Sequence, residues 1–281
     1  TIQNTRYQKL GERGKQSIKS KLKEKSVLIL SPHPDDMEIS VGILSLIAVS
    51  KGYKVSQIII TDGRFGGIDV SLLGKDEIIE KRKKEALKGA SILGIKETIF
   101  LDYIDGDVDK ANPVEIISKI THQIRKIRPH VVITFPLDGT YGHPDHIALS
   151  QFTSAALVCS VDSNFIDPHN LPPYQVSKYY HMVDSTKMVD DLQEMIGGLS
   201  MEVDGVMRRH FGWEEWAITS RINTGEYFNI LWKAVFCHQS QLPGFAGLLD
   251  LPEEKLRLLF SEGTFIRIYS LVNGGRKIET D

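Results

Sequence analysis

His33, Asp35, Asp36 and Glu38 crowd one short segment of the chain, "SVLILSPHPDDMEIS" (residues 26–40). A second crowd follows much later in "FPLDGTYGHPDHIALS" (135–150), with Asp138, Tyr141, His143, Asp145 and His146. Imidazole nitrogens with a carboxylate are donors that suit zinc, and three protein ligands leave a position open for water. Zinc so held lowers the pKa of that water toward ~7 and polarises a carbonyl oxygen. With a further carboxylate beside it as general base, such a set resembles a metallo-hydrolase. Two histidines and one carboxylate would also suit a non-haem Fe(II) centre, and a non-catalytic metal- or sugar-binding module could use the same ligands. The plain alternative is that these are polar loop ends bonding backbone groups at helix starts. That reading explains one such cluster better than it explains two.

The elements around the clusters say where they would meet. Val27–Leu30 is a short, wholly apolar run, as expected for a strand buried on both faces. Further strands are predicted at 55–61, 97–102 and 130–135, with helices over 37–51, 76–93 and 113–128. Gly94 is placed to end the second helix and Pro113 to open the third. Repeated strand–helix–strand units predict an α/β fold, a doubly wound, Rossmann-like, mainly parallel sheet with helices on both faces. In the common strand order the first and fourth strands are neighbours, and ligands bind outside their carboxyl ends. Both histidine clusters follow those two strands. Beyond residue 160 a C-terminal α+β elaboration is expected, with a strand at "KYYHMV", a helix at 186–196, a helix in "GEYFNILWKAVFCHQ" and a late strand in "GTFIRIYSLV". We divide the chain into an N-terminal basic, helical extension (1–25) and one domain (26–281), its core at 26–160.

These motifs together resemble the zinc-dependent N-acetylglucosaminyl deacetylases, the PIG-L or LmbE-like family. The likeness rests on "PHPDDMEI" and "YGHPDH", and extends to "RKKEA" (82–86), "KAVFCHQSQ" (233–241) and "EGTF" (262–265). It implies removal of the N-acetyl group from an N-acetylglucosamine-type amino sugar, releasing acetate and a free amine. It also implies Zn²⁺ on His33, Asp36 and His146, with Asp35 as general base. His143 would stabilise the oxyanion or act as acid, Asp145 would orient His143, and Tyr141 would assist. Arg82 would face the substrate, and His238 would lie near the site. Where many members carry an acid after the second strand this chain has Arg64, the substrate-side residue expected of that loop. "DGRFGG" lacks the spacing of a dinucleotide-binding turn. Trp213 and Trp216 are expected to pack rather than to stack on sugar.

The net charge of -2 gives no electrostatic reason to expect a nucleic-acid partner. No run of apolar residues is long enough for a membrane span. Cys159 and Cys237 are too few and too far apart for a disulfide scaffold. We therefore expect a cytoplasmic enzyme of a small N-acetylated sugar, with assembly as a homo-oligomer left open.

Overall fold

The computed structural model describes residues 25–66, 74–197, 200–203 and 205–272. The basic extension expected at 1–25 lies almost wholly outside them. Strand β1 (Ser26–Ser31) alternates its apolar residues between two cores. Leu28 and Leu30 pack with Ile58, Ile60, Ile116, Ile120 and Ile124 on one face. Val27 and Ile29 pack with Met37, Val55, Leu93 and Ile133 on the other. That double burial explains the uninterrupted apolar run.

Helices α1 (Asp36–Ser40) and α2 (Gly42–Ser50) follow, then β2 (Lys54–Thr61), α3 (Lys75–Ile92), β3 (Glu97–Tyr103), α4 (Pro113–Ile127) and β4 (Val131–Thr134). Sequence periodicity predicted one helix over 37–51. The structure breaks it at Val41, whose φ of -130° and ψ of 7° end α1 and open α2. Helix α4 behaves as its sequence predicts: the Asn112 side chain accepts from Val114 N and Glu115 N, and Pro113 occupies the first turn. Gly94, at φ +74°, lies just past the end of α3.

Helix α5 (Pro144–Val161) leads to β5 (Lys178–Val183), and α6 (Thr186–Ile196) follows. A hairpin of β6 (Ser200–Val203) and β7 (Val206–Arg209) comes next, then β8 (Ser220–Asn223), α7 (Phe228–Val235), α8 (Glu253–Leu259) and β9 (Glu262–Ser270). The main sheet runs β3-β2-β1-β4-β5-β9-β8. Its first five strands are parallel, whereas β9 pairs antiparallel with β5 and with β8. The sheet thus continues without interruption past residue 160. As expected, β1 and β4 are neighbours, with Val27 opposite Val131. Their carboxyl ends therefore release both histidine motifs side by side.

Candidate metal centre and active site

The segment after β1 turns directly into α1, and Asp36 folds back on it. Asp36 Oδ2 accepts from the His33 backbone N–H at 2.7 Å, lies 3.0 Å from His33 Nδ1, and is 3.6 Å from His146 Nε2. The other side of the His33 ring faces carboxylates. Its Nε2 is 3.1 Å from Asp145 Oδ2 and 3.2 Å from Asp105 Oδ1. Two such acceptors fix a proton on Nε2, which leaves Nδ1 to face Asp36.

His146 is 1% exposed, yet neither ring nitrogen has a hydrogen-bond partner. Buried polar atoms are seldom left so, and an orphaned imidazole that shares its surroundings with Asp36 and two further histidines is one that a cation would satisfy. Burial pulls its pKa down to about 3 against the pull of Asp36, so the ring is neutral and its lone pair free. Burial would raise the Asp36 pKa, but His146 and His33 outweigh it and hold the carboxylate far below its ordinary value. Burial lowers His33, but Asp36, Asp105 and Asp145 together raise it well above the ordinary value. A cation there would compete with that proton.

Ligating atoms of His33, His143 and His146 lie within 4.8 Å of one another, as do those of His33, Asp105 and Asp145. The second group is already committed. Asp145 accepts from Gly106 N at 2.7 Å and Val108 N at 3.0 Å, and Asp105 accepts from Phe65 N at 3.1 Å. The His146 side is the one with unused donors. The residues present fit a divalent cation.

Around this centre the remaining groups take definite positions. Asp35 Oδ1 accepts from Arg82 Nη2 at 2.7 Å. Arg82 also donates to the Gly63 carbonyl at 2.7 Å and is 2% exposed, so two of its guanidinium nitrogens are held by protein while it lines the cavity. A Cβ on Gly63 would come within 2.7 Å of Arg82 Nη1, and one on Gly66 within 2.1 Å. The glycines of "DGRFGG" therefore make room for this arginine. Arg64 turns away to Asp62 Oδ2 at 2.5 Å.

His143 caps α5, its Nδ1 accepting from Asp145 N at 3.1 Å. Its proton must then sit on Nε2. Burial and the nearby His33 lower its pKa, so the neutral donor tautomer persists. The Asp145 carboxylate meets His33 rather than His143, which differs from the orientation expected of it. Burial and the Asp36 charge raise Tyr141 well above the ordinary phenol range, so it stays a protonated donor. The turn carrying it is tight: Thr140 has φ +70°, and Asp138 accepts from Thr140 N at 3.1 Å. From the hairpin, Arg208 Nη1 donates to the Gly142 carbonyl at 2.7 Å. Trp213 Nε1 donates to Asp138 at 3.0 Å, whereas Trp216 is 86% exposed.

His238 does not reach the site. It and Glu38 are each 1% exposed and lie 3.3 Å apart beneath α3. Burial lowers the His238 pKa, but the Glu38 carboxylate outweighs it and holds the ring above the ordinary value. Only glycine fits at position 89, where a Cβ would lie 2.5 Å from Glu38 Oε1. Next door, Glu85 accepts from Ser240 N at 3.0 Å and Ser240 Oγ at 2.6 Å. The "RKKEA" and "HQSQ" motifs thus bind each other. Removing one partner of a buried charge pair strands the other, at roughly 3–5 kcal/mol. His238→Ala should accordingly lower the denaturant-unfolding free energy by about that much. A stable His238→Ala protein with only a raised KM would instead put His238 against the substrate.

Residues 28–157 match the family model of GlcNAc-PI de-N-acetylase, PIG-L. That segment, just under half of the chain, is a PIG-L family domain. The chain is 28% identical over 191 residues to a 1D-myo-inositol 2-acetamido-2-deoxy-alpha-D-glucopyranoside deacetylase of Kineococcus radiotolerans, covering 58% of this chain and 53% of the relative. It thus spans about half of that protein's length. Diacetylchitobiose deacetylase of Thermococcus kodakarensis is 31% identical over 178 residues, covering 59% of this chain and 66% of that one. Among solved structures, N,N'-diacetylchitobiose deacetylase of Pyrococcus horikoshii superposes with a TM-score of 0.63 at 20% identity, over 87% of this chain and 84% of its own. A 4-carboxy-2-hydroxymuconate hydratase of Pseudomonas putida superposes with a TM-score of 0.66 at 14% identity, over 90% and 100%. This fold thus carries more than one chemistry, and the reaction must be argued from the site.

Proposed function

We propose that this chain is a zinc-dependent N-deacetylase that removes the acetyl group from an N-acetylglucosamine-type amino sugar. The observation that carries the proposal is the orphaned, buried His146 beside Asp36 and His33, with Asp35 and His143 on the same cavity. His33, Asp36 and His146 would hold the ion, which when bound polarises the amide carbonyl and acidifies water. Asp35, held at one oxygen by Arg82, takes the proton from the attacking water with its other oxygen and returns it to the leaving amine. His143 Nε2–H and the Tyr141 hydroxyl donate to the developing oxyanion. Asp145 and Asp105 hold the His33 ring in its tautomer. Arg82, given its partners, positions Asp35 from the wall of the same cavity.

The unbroken sheet supports treating 26–281 as one catalytic unit. No helix of the described residues is long and apolar enough to cross a membrane. Cys159 and Cys237 are free thiols, which supports a reducing, cytoplasmic setting.

The test is acetate release from a panel of N-acetylated amino sugars, before and after exhaustive chelation. Activity should vanish with the metal and return with added Zn²⁺. Full activity in protein proven metal-free by elemental analysis would overturn the proposal, as would the absence of acetate from every substrate in the panel.

A further inference from the structure

Asp184 follows directly on β5, at the same rim of the sheet from which β1 and β4 release the histidine motifs, since β5 pairs parallel with β4. Ligands of open α/β sheets bind at that rim. The Asp184 carboxylate lies 3.0 Å from His210 Nε2, and both side chains line the cavity that holds the histidine cluster. The His210 side chain is 2% exposed, yet neither ring nitrogen makes a hydrogen bond. Nε2 thus faces Asp184 without being aligned on it, and Nδ1 has no partner. Thr140 Oγ1, on the same cavity, is also buried and unbonded. Short contacts join the two places. Asp138 accepts from Thr140 N at 3.1 Å and from Trp213 Nε1 at 3.0 Å, and Trp213 N donates to the Asp184 carbonyl at 2.8 Å.

The segment around His210 is docked without help from the Asp184–His210 pair. Backbone bonds fix it, from Trp213 N to Asp184 O and from Thr186 N to Trp213 O, the latter at 3.0 Å. Gly212 permits that approach, because a Cβ there would collide with the Thr186 backbone. An ion pair buried only for docking gains little, since each ion loses its water. Groups left unsatisfied together on a cavity wall are better explained by a ligand that completes them.

A proton on Nε2, beside the carboxylate, leaves Nδ1 and an Asp184 oxygen as acceptors, and the Thr140 hydroxyl serves as either donor or acceptor. Two ligating side chains are too few for a resident cation, and the carboxylate repels an anion. Two acceptors side by side suit a ligand with two O–H donors. Apart from its amide, an N-acetylated amino sugar offers hydroxyls.

We propose that Asp184 and His210 bind two of the hydroxyls at C3, C4 and C6 of the amino sugar, with Thr140 as a third contact, and so set the enzyme's selectivity for the sugar. The idea rests on the deacetylase reading for its substrate, but binding tests it apart from turnover.

The probes are methyl N-acetylglucosaminide and its 3-deoxy, 4-deoxy and 6-deoxy analogues, with protein loaded with Zn²⁺. A hydrogen bond to a charged group contributes ~10-fold or more, so two of the three analogues should lose at least that in kcat/KM. Asp184→Asn and His210→Gln should each cost the parent sugar ~10-fold or more, but cost the analogue that lacks the bonded hydroxyl less than ~3-fold, because that contact is already gone. Metal content should not change in either variant. Thr140→Val, which removes one hydroxyl and no charge, should show the same coupling at one position by ~3-fold or more even where a charge variant fails to fold. Calorimetry with the four corresponding free amines reads the same pattern without turnover. Equal handling of the parent and all three analogues would overturn the proposal. So would variants that weaken all four sugars alike, the mark of a purely structural pair. The pattern in calorimetry without acetate release would count against the deacetylase reading alone, and no binding by any sugar would overturn both.

Discussion

Asp35→Asn is expected to yield a folded, metal-loaded protein whose kcat falls by ~10²–10⁴. The substitution preserves shape, and its amide oxygen can still accept from Arg82 where Asp35 Oδ1 does now, at 2.7 Å. His33, Asp36 and His146 are untouched, so metal content should stay near that of the parent. What is lost is the ability to take a proton from water, and with it the return of that proton to the amine. Asp36→Asn, next in sequence, should behave in the opposite sense. Its carboxylate gathers the His33 amide, His33 Nδ1 and His146 Nε2, so the loss should appear first as missing metal. Elemental analysis and turnover measured on both variants decide between these roles. Near-normal turnover by Asp35→Asn would remove the base from the mechanism, and metal loss confined to that variant would exchange the two aspartates.

The parallel half of the fold was legible because each strand is either buried on both faces or followed by a helix with clear punctuation. Pro113 and Gly94 marked helix ends that the structure reproduces. Topology then brought His33 and His146 together from distant segments. The hairpin of β6 and β7 was not anticipated, since its four-residue strands mix exposed and half-buried residues and include charges. Its only signal was Asp204–Gly205 between the two valines, a pair that favours tight hairpin turns. That omission hid Arg208, which holds the Gly142 carbonyl in the histidine turn.

Asp105 was also missed. It sits after β3 in no motif, and only the folded sheet brings it 3.2 Å from His33. Glu38 looked like an acid favoured by a helix start, and it does lie in the first turn of α1. Its burial against His238 depends on α3 and on the segment after α7, which no local pattern encodes. Sequence could place chemistry-bearing residues near one another. It could not say which carboxylate each histidine would meet, because that depends on rotamers set by packing from several elements.

The two histidines of "GHPDH" offer the sharpest separation of metal binding from catalysis. His143→Ala should keep its metal and lose ~10²–10³ in kcat, the usual effect of deleting one preorganised donor to an oxyanion. The geometry gives the reason: Nδ1 is occupied by the Asp145 amide, so the only proton the neutral ring can offer is on Nε2. Because the same contact caps α5, the variant should also lose about 1 kcal/mol of stability, far too little to explain the fall in rate. His143→Gln restores a donor at roughly that reach and should recover part of kcat while KM stays nearly constant. His146→Ala should differ in kind. Its ring has no protein hydrogen bond to lose, so the change should register as metal-free protein instead of a slow, loaded enzyme. A ligand trio of His33, His143 and His146 is also within reach, since their donor atoms share a 4.8 Å neighbourhood. Metal content measured after dialysis, beside kcat and a denaturant melt for each variant, distinguishes the trios. If His143→Ala emerges empty while Asp36→Asn stays loaded, the centre is built on three imidazoles, and the oxyanion donor must then be sought in Tyr141.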